Sequence, residues 1–138
     1  MSDVHDEQTR SYNMSRIRSK DTKPEMLVRK FLFRKGFRYK LHDSKLPGKP
    51  DLVFWKYNTA IFVHGCFWHG HEGCRYFVIP KARRQWWVDK INRNKELDAK
   101  NAKKLRAMGW RVFTVFECKL KPMNREKTLN RLASRLAG

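Results

Sequence analysis

The segment His64-Gly65-Cys66-Phe67-Trp68-His69-Gly70-His71-Glu72-Gly73-Cys74 crowds two cysteines, three histidines and two large aromatics directly behind the apolar run Ala60-Ile61-Phe62-Val63. Thiols and imidazoles at this density, at the exit of a buried strand, make a metal the organising centre of the fold. Cys66, His71 and Cys74 are separated by four and two residues, and Cys118, at the end of a second apolar run, offers a fourth ligand from a distant part of the chain. A Cys3His set is closed, with no coordination position left for water, and zinc is its expected occupant. The metal then shapes the loop and leaves the chemistry to other residues. The alternative is that the cysteines are free core thiols and His71 a solvated side chain.

Charge narrows the partner. Lys and Arg number 32 against 13 Asp and Glu, a formal net charge of +19, far beyond what solubility needs. Such a chain is built for a polyanion. A membrane surface is the weakest of the anions to consider, because the apolar runs fall well short of the ~20 residues that span a bilayer and Met1-Ser2-Asp3-Val4-His5 lacks a signal-peptide apolar region. The chain reads as cytosolic, where cysteines favour metal over disulfides.

The hydrophobic pattern predicts one α/β domain over residues 21–138, preceded by a polar, basic arm over residues 1–20 with no strong amphipathic stripe. Thr22-Lys23-Pro24-Glu25 has the form of a capping box opening a helix that runs to Gly36. Strands are expected over 37–41, 51–55 and 60–63 with short, antiparallel connections. A long helix over 82–108 follows, with Trp86 or Trp87, Ile91, Leu97 or Asp98, Ala102 and Leu105 on one stripe. A strand over 110–116, placed by that crossover beside the third as a parallel neighbour, and a basic helix over 124–137 complete a mixed sheet flanked by helices.

Against so much positive charge, an acid near an apolar strand stands out. Asp51 opens a strand straight after the turn Leu46-Pro47-Gly48-Lys49-Pro50, where a carboxylate lowers strand propensity. It is either a turn-capping residue or a ligand for Mg2+, a hard cation that takes carboxylates, carbonyls and waters; the carbonyl of Val63 on a neighbouring strand is a candidate second ligand. Glu25 is either the capping-box partner of Thr22 or a further carboxylate reaching the same cation. His64 and His69, flanking Cys66, are left for proton transfer. Phosphodiester hydrolysis needs an activated water, charge neutralisation and help for the leaving oxygen, and Mg2+ with Asp51, His64 and His69 would supply all three, with His69 as general base or general acid.

Three stretches together resemble the very short patch repair (Vsr) DNA mismatch endonucleases over almost the whole chain. They are Pro47-Gly48-Lys49-Pro50-Asp51, Phe62-Val63-His64-Gly65-Cys66-Phe67-Trp68-His69, and Trp110-Arg111-Val112 leading to Glu117-Cys118. Asp3-Val4-His5-Asp6 and Asn13-Met14 look like that family too. The resemblance implies a restriction-endonuclease-like core with a structural zinc site, and a Mg2+-dependent nick 5′ to the mismatched thymine of T·G pairs that arise when 5-methylcytosine deaminates. By the same resemblance, Asp51 falls on the metal-binding aspartate, Val63 on the residue whose carbonyl joins it, His64 and His69 on the active-site histidines, and Glu25 on the acid of the first helix. Cys66, His71, Cys74 and Cys118 fall on the zinc ligands. Phe67 and Trp68 fall on the aromatics that wedge into DNA beside the mismatch, and Met14 enters from the opposite groove. Two departures stand out: no acid-x-Lys follows Asp51, and Glu72-Gly73 lengthens the gap from His71 to Cys74.

A wedge suits a T·G pair. The wobble pair stacks nearly normally, and unstacking costs a few kcal/mol per step, less at a mismatch, so the difference becomes selectivity. Packing in the core is the other role open to Phe67 and Trp68. The expectation is therefore a bacterial, cytoplasmic and nucleoid-associated DNA mismatch nicking endonuclease, monomeric, acting on double-stranded T·G DNA alongside other mismatch-repair proteins. Two rivals remain: a non-catalytic zinc-stabilised nucleic-acid-binding module, for which charge and aromatics suffice, and a restriction-type endonuclease on matched sites.

Overall fold

Thr22 starts the first helix, its hydroxyl accepting the Glu25 N–H at 3.3 Å, while Pro24 occupies the first turn, where a missing N–H breaks no bond. The computed structural model describes residues 21–138; the arm over residues 1–20, and with it Met14, lies outside the described residues. Helix α1 spans Lys23–Arg34 and buries Val28 and Leu32. It ends where Gly36 takes a φ of +97° and the Phe37 N–H reaches back to the Leu32 carbonyl at 3.0 Å, a Schellman closure that only a left-handed residue permits. That closure is why the first strand is shorter than the alternation of residues 37–41 predicts: the backbone of Phe37 is still engaged with the helix, and β1 is only Lys40–Leu41.

Strand β2 is Leu52–Phe54 and β3 is Thr59–His64. A 3-10 turn over Trp55–Tyr57, closed by Asn58 at φ +48°, takes the end of the expected 51–55 strand; asparagine is one of the few residues that accept this conformation readily. Helix α2 spans Arg84–Ala107, starting after Arg83, whose φ of +54° breaks the helix that the sequence pattern extends to residue 82. A second Schellman closure at Gly109, with the Trp110 N–H on the Leu105 carbonyl, turns the chain into β4, Arg111–Phe116. Helix α3, Arg125–Ala137, ends the chain.

The four strands lie in the order β1-β2-β3-β4, antiparallel across the first two pairings and parallel between β3 and β4, as the sequence pattern predicts. Side chains alternate across the sheet and so build two cores. Leu52, Phe54, Ile61 and Val115 pack on Val28 and Leu32 of α1 and Leu129, Leu132 and Leu136 of α3. Val53 and Ala60 pack on Leu105 of α2 and on Trp110. The result is a mixed sheet between helical layers, the architecture expected. No helix among the described residues is long and apolar enough to cross a membrane.

Because β2 runs against β3 and β4 runs with it, the start of β2 and the ends of β3 and β4 share one rim of the sheet. Asp51, Val63, His64, the loop over residues 65–74 and Cys118 all fall there. In open α/β sheets the carboxyl ends of parallel strands are where ligands bind.

Candidate active site and metal centre

Three side-chain clusters occupy this rim. In the first, Cys66, His71, Cys74 and Cys118 bring four ligand atoms within 4.8 Å of one another. The Cys118 Sγ lies 3.4 Å from His71 Nδ1, close to the ~3.5 Å edge that a tetrahedron with S and N bonds of about 2.3 and 2.0 Å would have. The His71 ring stacks on Phe116 at 3.9 Å and 5°, and the Cys66 N–H donates to Glu117 Oε1 at 3.2 Å, so the end of β4 holds the loop from two further directions. Burial pushes the Cys66 thiol up to about 12, so in the metal-free chain it stays protonated; a thiolate there needs a cation beside it.

The second cluster is His64, His69 and Asp98. His64 ends β3 and is buried; His69 lies flat on it, ring centroids 3.6 Å apart and planes 4° from parallel. Burial, with His69 alongside, pushes the His64 pKa down to about 4, so its imidazole is neutral at physiological pH. His69 Nδ1 meets Asp98 Oδ2 of α2 at 2.6 Å. A carboxylate at one ring nitrogen fixes the tautomer and orientation of the ring and turns Nε2 to the other side.

The third cluster gathers acids. Asp51 Oδ2 accepts the Val63 N–H at 2.7 Å. Burial raises the Asp51 pKa to about 6, against the lowering effect of the Val63 hydrogen bond, with Glu25 adding to the rise. Glu25 is fully buried: its own N–H caps onto the Thr22 hydroxyl, its carboxylate takes the Asp21 N–H in place of the Thr22 N–H that a full capping box would engage, and its charge adds to the rise of the Asp51 pKa. Glu25 Oε1 accepts the Asp21 N–H at 3.2 Å, and Arg29 stands 3.3 Å from Oε2.

One face of α2 carries the loop. Asn94 Nδ2 donates to the Trp68 carbonyl at 2.9 Å, Asp98 holds His69, and Lys95 pairs with Glu72 at the lengthened part of the His71–Cys74 gap. Gly70, at φ +58°, passes so close that a Cβ there would stand 2.7 Å from Ile91 and Lys95. Residues 91, 94, 95 and 98 are spaced i, i+3, i+4 and i+7, so one helical stripe meets the loop along its length. Phe67 and Trp68 are half-buried, resting edge-on and tilted on the buried Trp87 at 5.4 and 5.9 Å. Trp86, its neighbour, is exposed, as two adjacent helical residues pointing about 100° apart require.

Sequence reasoning did not single out Asp98, His42 or Glu117 for the site. Asp98 shared a place on the α2 stripe with Leu97; the structure exposes Leu97 and turns Asp98 onto His69. A carboxylate on an otherwise apolar stripe facing a histidine-rich loop was the signal available for it.

Comparison with known proteins gives a consistent answer. Residues 2–75 match the family described as "DNA mismatch endonuclease Vsr". A relative named "Type II nicking enzyme V.NmeAIP", from Neisseria meningitidis, is 49% identical over 134 residues, covering 96% of this chain and 94% of its own length. The "DNA mismatch endonuclease Vsr" of Escherichia coli is 43% identical over 127 residues, 92% of this chain and 80% of that protein. "Type II nicking enzyme V.XorIIP" of Xanthomonas oryzae is 46% identical over 120 residues, 87% of this chain and 88% of its own.

Proposed function

The chain belongs to the DNA mismatch endonuclease Vsr family, a family of nucleases, and on that basis we propose that it nicks one strand of duplex DNA 5′ to the thymine of a T·G mismatch. The observation that carries the reading is the meeting of Asp51, His64 and an Asp98-held His69 on one sheet rim, beside a closed Cys3His cluster.

Each cluster has a part. The Cys3His set fits zinc by donor type and spacing and leaves no open coordination position, so its role is to hold the loop. Asp51 fits Mg2+: it is a partly buried carboxylate, and the Val63 carbonyl, leaving the strand on the same edge as the N–H already bonded to Asp51, is the second oxygen. Glu25 adds the further acid. Mg2+ bound there supplies charge neutralisation at the phosphate and a more acidic water. His69, oriented through Nδ1, exchanges the proton at Nε2 with the attacking water or the leaving oxygen. His64, held neutral by burial, keeps the partner ring flat against it and contributes no competing charge.

Phe67 and Trp68, rigidly mounted between metal ligands and α2, test how easily the base step opens. Met14 on the N-terminal arm approaches from the other groove, and the +19 charge holds the phosphate backbone with steep salt dependence. Such an enzyme works as a monomer on chromosomal DNA in the bacterial cytoplasm. The direct test is nicking of matched and T·G duplexes with Mg2+. Cleavage of the T·G duplex alone supports the proposal, equal cleavage of both favours a restriction-type nuclease, and binding without cleavage favours a non-catalytic module.

Asp98→Asn is expected to slow single-turnover nicking on the order of 10²–10³-fold, because an amide no longer enforces the His69 tautomer. Duplex affinity measured without Mg2+ should hold. An unchanged rate would remove His69 from proton transfer.

A further inference from the structure

Between Glu25 and Asp51 stands a side chain to which neither the family description nor the sequence pattern gives a role. His42 follows β1, and its ring reaches both acids: Nε2 is 3.0 Å from Glu25 Oε2, and Nδ1 is 3.7 Å from Asp51 Oδ1. Its backbone N–H donates to the Asp51 carbonyl at 3.1 Å, so main chain and side chain of one residue grip the start of β2. The residue sits at φ +47°, a conformation that a non-glycine residue adopts at a cost and that aims the ring inward. Nε2 is buried with no aligned hydrogen bond, although a carboxylate oxygen is within reach.

Asp21, Glu25 and His42 also have the composition of a metal site. Asp21 is already committed elsewhere: the Arg29 guanidinium lies 2.6 Å from Asp21 Oδ1, against 3.3 Å from Glu25 Oε2. The arrangement is better suited to setting the position of Glu25. Arg29 and the Asp21 N–H hold it from the helix side, and the His42 ring stands against it from the β1 side, Nε2 3.0 Å from Oε2.

The geometry points to His42 as a positioning residue for the catalytic cation site, holding the Glu25 and Asp51 carboxylates at the separation that one hydrated Mg2+ requires. Two acids at a rim repel each other; a ring wedged between them, one nitrogen toward each, keeps them from splaying before the cation arrives. Outer partners of this kind change metal affinity by 10–100-fold in other sites. This inference rests on the proposal that Asp51 binds Mg2+.

Two substitutions test it. His42→Asn tolerates positive φ but cannot reach Glu25, whereas His42→Gln restores a donor at about the reach of Nε2. Mg2+ is titrated in two ways, by the rate of T·G nicking and by the rise in Tm of the DNA-free chain. For His42→Asn, half-saturating Mg2+ should rise about tenfold in both assays, with a smaller fall in the rate at saturation. His42→Gln should recover most of the loss. Zinc content and duplex binding without Mg2+ should match the wild type. Unchanged half-saturation in His42→Asn, or equal weakening in both variants, overturns the inference while leaving the nuclease reading intact. A wild-type chain that responds to Mg2+ in neither assay removes the cation site and the inference together.

Discussion

Asp51→Asn is expected to abolish nicking and, in the absence of metal, to make the protein more stable. The two effects share one cause. Asp51 is largely withdrawn from solvent near Glu25, and that burial lifts its pKa to about 6 from 3.8. At about 1.4 kcal/mol per pKa unit, its ionised form destabilises the metal-free fold by on the order of 2–3 kcal/mol at pH 7. Asparagine keeps an oxygen for the Val63 N–H and removes the charge. The direction with pH follows from the raised pKa. The folded chain takes up the Asp51 proton as pH falls through about 6, while the unfolded chain waits until about 3.8, so the wild type gains stability on Asp51 across that window. His64 acts the opposite way: its pKa of about 4 means that the unfolded chain protonates first as pH falls from 6.5, and stability is lost. Both proteins share His64, so the difference in Tm between Asp51→Asn and wild type isolates the carboxylate. That difference should be largest near pH 7 and vanish below about pH 4. Mg2+ should raise the Tm of the wild type and leave the variant unmoved. The rate should fall about 10³-fold or more, because a divalent cation contributes several kcal/mol of transition-state stabilisation. A variant less stable than wild type at pH 7, or one that keeps its rate, would show that Asp51 is a structural turn residue.

The parts of this site visible in the sequence are those whose chemistry is carried by residue type and local spacing. The Cys66, His71, Cys74 and Cys118 set is found together because thiols and imidazoles next to an apolar run have few other uses, and Cys118 follows from its place at the end of the parallel neighbour of β3. The sheet order is similarly legible, since short turns enforce antiparallel neighbours and a long helical crossover allows a parallel one. What escaped are residues whose meaning is tertiary. His42 falls just past the strand expected over 37–41, where the pattern gives it no role; its positive φ sends the ring between two acids. Asp98 differs from Leu97 by about 100° of helix rotation, too little for a periodic pattern to resolve over one turn. Val63 was expected to offer a carbonyl, and the structure adds a hydrogen bond from its N–H to the same aspartate, a pairing that register creates and composition does not reveal. The early end of α1's influence on β1 belongs to the same class, since the Schellman closure at Gly36 removes Phe37 from the ladder without altering its alternation.

Cys118→Ser separates scaffold from chemistry, and it should damage both. The Cys118 Sγ lies 3.4 Å from His71 Nδ1 and, as the proposed fourth ligand, would tie the loop over residues 65–74 to the end of β4. Serine offers no thiolate, so if the cluster binds zinc as proposed, the wild type should carry about one zinc per chain and the variant should lose it. Structural zinc contributes directly to folding free energy, and a loss of about 3–5 kcal/mol, roughly 10–20 °C in Tm, is expected. The α2 stripe still holds part of the loop through Asn94, Asp98 and the Gly70 contact, so the sheet and both cores should survive with unchanged far-UV circular dichroism. His64 belongs to β3 and stays in place; His69, Phe67 and Trp68 keep their contacts with α2 but lose the tether from Cys118, so they no longer hold one fixed position. Nicking of T·G duplexes should therefore fall by orders of magnitude while salt-sensitive binding to any duplex, which depends on distributed charge, persists. Chelation of the wild type by a strong zinc ligand should reproduce the same split, and restoring Zn2+ should reverse it in the wild type alone. Retention of stoichiometric zinc by Cys118→Ser, or full nicking without zinc, would mean that the Cys3His cluster is not the element that holds His69 against Asp98.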